Sequence, residues 1–172
     1  MTDDGPEPPE SLVAALEDHG AFERGATGFD CTTTPFDVTV TGDPAPEGRE
    51  ATVYVTVVVP TLDAAVPGES VAEIVELDWF ETFDRRVSDV GTVLESADVS
   101  EPSVEREGEH VVFDLAFRAW TADVAVADAK AAVDFVEGTY VQGVIPGYDY
   151  GEPVSGLLAR ARSHGERAAR GN

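Results

Sequence analysis

The stretch Ala51-Thr52-Val53-Tyr54-Val55-Thr56-Val57-Val58-Val59 decides the fold. Ala51, Val53, Val55, Val57 and Val59 recur at every second position, which in an extended chain puts them on one face, while Thr52, Tyr54, Thr56 and Val58 point to the other. β-Branched residues dominate and no Gly or Pro interrupts them, so the segment reads as a half-buried central strand. Such a strand needs partners on both sides. Upstream, Phe36, Val38 and Val40 alternate in the same way, joined to it by the turn-rich connector Gly42-Asp43-Pro44-Ala45-Pro46-Glu47-Gly48. Downstream, a strand beginning at Val104 turns at Glu107-Gly108 and returns with Val111, Phe113, Leu115 and Phe117 on its inward face.

Further out, Phe29, Cys31 and Thr33 alternate ahead of Pro35, giving a separate short strand or one strand broken at the proline. Helical periodicity surrounds these strands. Ser11 opens an amphipathic helix directing Leu12 and Leu16 inward, Gly20 ends it, and Phe22 folds back onto the same apolar surface. After Pro67-Gly68, Ser70 with Glu73 makes a capping box for a short helix bearing Val71, Ile74 and Val75. Asp78 with Glu81 repeats the signal and predicts a restart or bend before Trp79 and Phe80, with Phe83, Val87 and Val90 continuing the stripe. An alanine-rich helix runs from Asp123 through Ala129, Val133 and Val136, its period reaching Tyr140 and Val144 until Pro146 stops it. The last helix starts at Pro153 and buries Val154, Leu157 and Leu158. Strands clustered between helices predict an α+β fold, an antiparallel sheet of about five strands with helices packed mainly on one face. The length of 172 residues and 42% hydrophobic composition suit one domain. It is expected over residues 10–165, between a disordered acidic segment, 1–9, and a flexible tail, 166–172.

Charge sets the habitat and excludes some partners. Thirty-four Asp and Glu stand against eleven Lys and Arg, for a formal charge of −23, and Lys130 is the one lysine. A carboxylate-coated surface stays soluble where counter-ions screen its self-repulsion, the composition of a halophilic, salt-adapted protein. Without a basic stripe interleaved with aromatics there is no case for nucleic acid. No apolar run approaches the roughly eighteen residues of a membrane span, and the N-terminus is acidic where a secretory signal is basic and then apolar, so a cytoplasmic location is expected. Positive charge is in local excess only around Arg160, Arg162, Arg167 and Arg170.

No motif carries catalysis. There is no Walker loop, Rossmann fingerprint or nucleophile elbow, and Cys31 stands alone beside Asp30 where a reactive thiol wants basic neighbours. His19, His110 and His164 are scattered, and Asp78, Glu81 and Asp84 at helical spacing are what an acidic chain produces by chance. No catalytic residue, metal or cofactor is therefore predicted. The segment of most unusual composition is Gly138 to Gly151, where Tyr140, Gln142, Tyr148, Asp149 and Tyr150 either line a pocket wall or cap the rim of the core. On the central strand, Tyr54 and Val58 face away from the valine stripe. They are the candidate interface, covered either by a second copy or by the last helix.

The combination Thr32-Thr33-Thr34-Pro35-Phe36, Pro60-Thr61-Leu62-Asp63-Ala64, Trp79-Phe80-Glu81-Thr82-Phe83 and Val136-Glu137-Gly138-Thr139-Tyr140-Val141 through Tyr150 resembles an uncharacterised family of small haloarchaeal proteins, known as a domain of unknown function. The resemblance implies a salt-adapted cytoplasmic protein and transfers no activity. The order of elements is also similar, in topology alone, to type III secretion chaperones and the YbjN-like proteins, which implies a dimeric binding protein. The reading is a non-enzymatic, chaperone-like protein-binding or accessory protein whose partner is another protein or a second copy of itself. The alternative is a small-molecule binder or undescribed enzyme using the Gly138–Gly151 elbow.

Overall fold

The computed structural model describes residues 7–170, with side chains through residue 163. In chain order the elements are α1 (Glu10–Asp18), β1 (Phe22–Arg24), β2 (Phe29–Cys31), β3 (Asp37–Pro44), β4 (Ala51–Pro60), α2 (Leu62–Ala65), α3 (Glu73–Val87), a 3-10 turn (Ser88–Val93), β5 (Asp98–Val99), β6 (Ser103–Glu107), β7 (His110–Ala119), α4 (Ala122–Gly143) and α5 (Val154–Arg170). The strands form one antiparallel sheet in the order β1-β2-β3-β4-β7, with β5 and β6 both on the far edge of β7. The fold is α+β with seven strands rather than about five. β1 and β5, of three and two residues, are too short to show any alternation in sequence.

β4 sits at the centre as its composition demands, paired with β3 in the register Val40↔Val55 and with β7 in the register Val55↔Leu115. Residues opposite each other share a face. One face therefore collects Val38, Val40, Val53, Val55, Val57, Phe113, Leu115 and Phe117, all buried. α4 lies against β4 and β7 on that side, with α1 and α3 against α4. Alanines at 125, 129 and 132 on α4 are all buried and short enough for close approach to its neighbours. Gly42 on β3 admits α1, since a Cβ there would collide with the Leu12 side chain. The aromatic centre is Tyr140, fully buried, with Trp79, Phe83 and Phe36 all edge-on to its ring.

Several expectations are corrected. Phe22 does pack into the core with Leu12 and Leu16, but from an unexpected strand, β1, where it pairs with Cys31 across a hairpin closed by the Gly25 N–H donating to the Gly28 carbonyl at 2.7 Å. The turn between β6 and β7 is Gly108-Glu109, one position later than expected. Gly108 takes φ 61°, the glycine position of a tight hairpin, and Glu107 and His110 pair across it. No capping box forms at Ser70. The Val71 N–H instead donates to the Asp63 carboxylate at 2.9 Å, which draws the segment onto α2, and α3 begins at Glu73. Val71 is buried by that contact while Ile74 faces solvent, 78% exposed. Nor does α3 restart at Asp78; the helix is continuous to Val87. α2 itself was not anticipated, and Thr61 supplies its cap through a 3.2 Å bond from the Ala64 N–H. Of the expected disordered N-terminal segment, residues 1–6 lie outside the described residues, and α5 runs on to Arg170 into the expected tail, leaving 171–172 outside.

Candidate functional site

The elbow between α4 and α5 does not gather its five candidates at one place. Tyr140 points into the core, 1% exposed, and donates to the Pro60 carbonyl at 3.1 Å. Burial first, with Tyr150 and Glu76 nearby, holds its phenol well above the ordinary range, so it stays protonated as a donor. Gln142 is exposed. Tyr150 folds back on its own loop, accepting from the Ile145 N–H at 2.8 Å and donating to the Ile145 carbonyl at 2.6 Å. Burial raises the Tyr150 phenol, opposed by the Ile145 N–H. Tyr148 packs edge-on against it, with ring centroids 6.5 Å apart, and Asp149 is exposed with its N–H directed at Glu69. The hydroxyl that could have oriented a ligand is thus spent closing the turn.

Other chemically eligible groups are also dispersed. Asp78, Glu81 and Asp84 lie exposed along α3. Among the described residues no group of three or more His, Cys, Asp or Glu is placed to hold a metal ion. Cys31 is buried, its Sγ 3.3 Å from the Thr33 hydroxyl. A cleft of about 510 Å³ lies between α1, the β1–β2 turn and β3. Its floor is the core side chains Leu12, Leu16, Phe29 and Val40, and its one cation, Arg24, is engaged by Glu17 at 2.7 Å.

Two buried carboxylates escaped sequence reasoning because acids are everywhere in this chain. Asp128 on α4, 2% exposed, accepts from the Glu95 and Ser96 N–H groups at 2.8 and 2.9 Å and so seats the loop before β5. Glu76 on α3, 5% exposed, accepts from the Asp63 N–H at 3.0 Å through Oε2, while Oε1 has no partner. Burial pushes the Glu76 carboxyl up, against the Asp63 N–H and the Arg106 guanidinium that lower it. A raised folded value means that the protonated form favours folding. Its contribution is complete below the unfolded value of about 4.5 and is lost as pH rises through the higher folded one. Wild-type urea midpoints should therefore fall relative to those of Glu76→Gln across that window. Parallel midpoint curves for the two proteins would show that Glu76 ionises without cost.

The remaining surface is the sheet face opposite the buried valine stripe. Register places Thr39 and Thr41 of β3, Thr52, Tyr54, Thr56 and Val58 of β4, and Val112, Asp114, Ala116 and Arg118 of β7 together there. Tyr54 is 41% exposed, and Thr56 donates to Asp114 at 2.5 Å. Burial raises the Tyr54 phenol, with Asp43 adding to it and Arg118 opposing. At the end of β7, Trp120 stands 61% exposed beneath the Arg49 guanidinium, 4.8 Å from ring centroid to Cζ. Asp98 is shared by Arg49 and Arg118 at 3.5 and 3.6 Å. This corner was missed by sequence reasoning, although pleat alternation carried one step past Ala119 would have put Trp120 outward. α5 is anchored against α4 through buried Val154 and Leu157. On the face itself Tyr54 and Asp114 are exposed and Thr56, Val58, Val112 and Ala116 half-buried.

A family model described as a family of unknown function (DUF5813) matches residues 17–160, which begins at the end of α1, takes in all seven strands and stops within α5. No curated protein and no solved structure matches the chain.

Proposed function

Since the chain belongs to this family of unknown function, we propose from its geometry that it is a salt-adapted, non-enzymatic protein-binding or accessory protein that contacts its partner through the open sheet face. The observation that carries this reading is the position of α5: it contacts α4, while Tyr54 stays 41% exposed and Val58 half-buried, without the cover expected of the last helix. Tyr, Trp and Arg dominate binding energy at protein interfaces, and Tyr54, Trp120 and Arg118 occur together on one side of β4 and β7. The sheet edges are poorer candidates. β1 offers three residues, and β6 reads Ser-Val-Glu-Arg-Glu, the charged edge that discourages strand addition. The net charge of −23 supports the salt adaptation, through carboxylate repulsion that dissolved ions screen.

The test is capture from cell extract at molar KCl with wild-type protein and with Tyr54→Asp as paired baits. A partner retained by the first and lost by the second supports the reading, whereas identical captured sets remove the face from consideration. A melting temperature that does not fall as KCl is lowered would count against salt adaptation.

A further inference from the structure

The outer face has a charge pattern as well as a shape. Its middle, on β4 and β7, carries hydroxyl, aliphatic and aromatic groups: Thr52, Tyr54, Thr56, Val58, Val112 and Ala116. Carboxylates flank this strip at both ends on the β3 side and at the Val58 end on the β6 side. On β3, Asp37 stands opposite Val58 and Asp43 opposite Thr52. Beyond β7, Glu105 stands opposite Val112 and Glu107 opposite His110. Asp114 adds a fifth carboxylate within the strip. The cation on the face, Arg118, is already held by Asp98.

The dimensions select an occupant. β3 and β6 are three strand spacings apart, about 14 Å at about 4.8 Å each. One α-helix with its side chains is about 10–12 Å across, so a helix lying on β4 and β7 would have carboxylates at both ends of its β3 flank and at the Val58 end of its β6 flank. From Thr52 to Val58 the strip runs about 20 Å at about 3.4 Å per residue, the length of about 13 helical residues. A helix with small apolar side chains beneath and Lys or Arg on both shoulders would lay its alkyl stems over Tyr54 and Val58 and reach the carboxylates with its charges. A second copy of this chain would instead set these carboxylates against their own counterparts.

We propose that the open face binds a single basic amphipathic helix, about 13 residues long, presented by a partner protein. This rests on the reading of the sheet face as the protein-binding surface and specifies what that surface recognises.

The probe is a fluorescein-labelled synthetic peptide of about 14 residues, with Leu and Ala on one helical stripe and Lys on both shoulders, followed by polarisation in KCl at which circular dichroism shows the protein folded. Binding should weaken at least about tenfold, or about 1.4 kcal/mol, for the quadruple variant Asp37→Asn, Asp43→Asn, Glu105→Gln, Glu107→Gln. The charge-matched control Glu73→Gln, Asp78→Asn, Glu81→Gln, Asp84→Asn on α3 should bind like wild type. Ala116→Arg, which sets a cation in the middle of the strip, gives an independent loss should the quadruple variant fail to fold. The proposal is overturned by a peptide that does not bind, by equal weakening in both quadruple variants, or by equal binding of a scrambled peptide without the stripe. A dimer that Ala116→Arg dissociates also overturns it, because a second copy then occupies the face. A partner captured through Tyr54 but held equally by the Asp37, Asp43, Glu105, Glu107 variant would leave the binding face intact and remove the basic helix alone.

Discussion

Asp128→Ala should lower the unfolding free energy by about 3–5 kcal/mol, read as a shift of the urea midpoint at constant slope. The carboxylate is 2% exposed and both of its oxygens are engaged, by the Glu95 and Ser96 backbone N–H groups. Removing it takes the acceptor from both N–H groups, that of Ser96 buried, and leaves a void beside α4 where the loop from the 3-10 turn is seated. Asp128→Asn keeps one carbonyl acceptor and should lose about half as much. An unchanged midpoint for the alanine variant would mean that the loop finds water or other acceptors, and that its tie to α4 is dispensable.

Phe113→Ala and Trp79→Ala should each cost about 3–5 kcal/mol. Phe113 is fully buried on β7, directly opposite Val57. Trp79, 3% exposed, stacks on Phe83 at 5.7 Å and meets the edge of Tyr140 at the same separation. The two residues lie on opposite sides of the sheet-helix core, so deletion of either opens a cavity the other cannot fill. Soluble variants with wild-type denaturant midpoints would defeat this account of the packing.

Central elements were legible because their periodicity is long. Nine alternating residues from Ala51 to Val59 leave no choice of face, and the alanine-rich pattern of α4 reaches Tyr140 without a break. Short elements were not legible. β1, β5 and α2 span two to four residues each, below the length at which either period can be recognised, and they exist through tertiary bonds. Capping signals failed for a related reason: Ser70 and Glu73 match a local pattern, but the Asp63 carboxylate takes the Val71 N–H first. The outward position of Tyr54 and Val58 followed from pleat geometry alone. Asp128 and Glu76 could not be told from thirty-two other acids, because burial of a carboxylate is decided by what packs around it.

The pairing of β4 with β7 has a kinetic consequence. Val55 and Leu115 are direct neighbours in the sheet yet sixty positions apart in the chain, with α2, α3 and β5 between them. The β3–β4 and β6–β7 hairpins can each form locally, but neither can complete the valine face until this long loop closes, and closure entropy must be met before the contacts reward it. Until then β4 and β7 each present an unpaired edge lined with β-branched and aromatic side chains, the state in which chains pair wrongly with one another. Wrong pairing would bury hydrated carboxylates such as Asp114 and Glu105 at a cost that screening by salt does not remove, so the same carboxylates that coat the finished surface also guard the chain while its sheet is still in two halves.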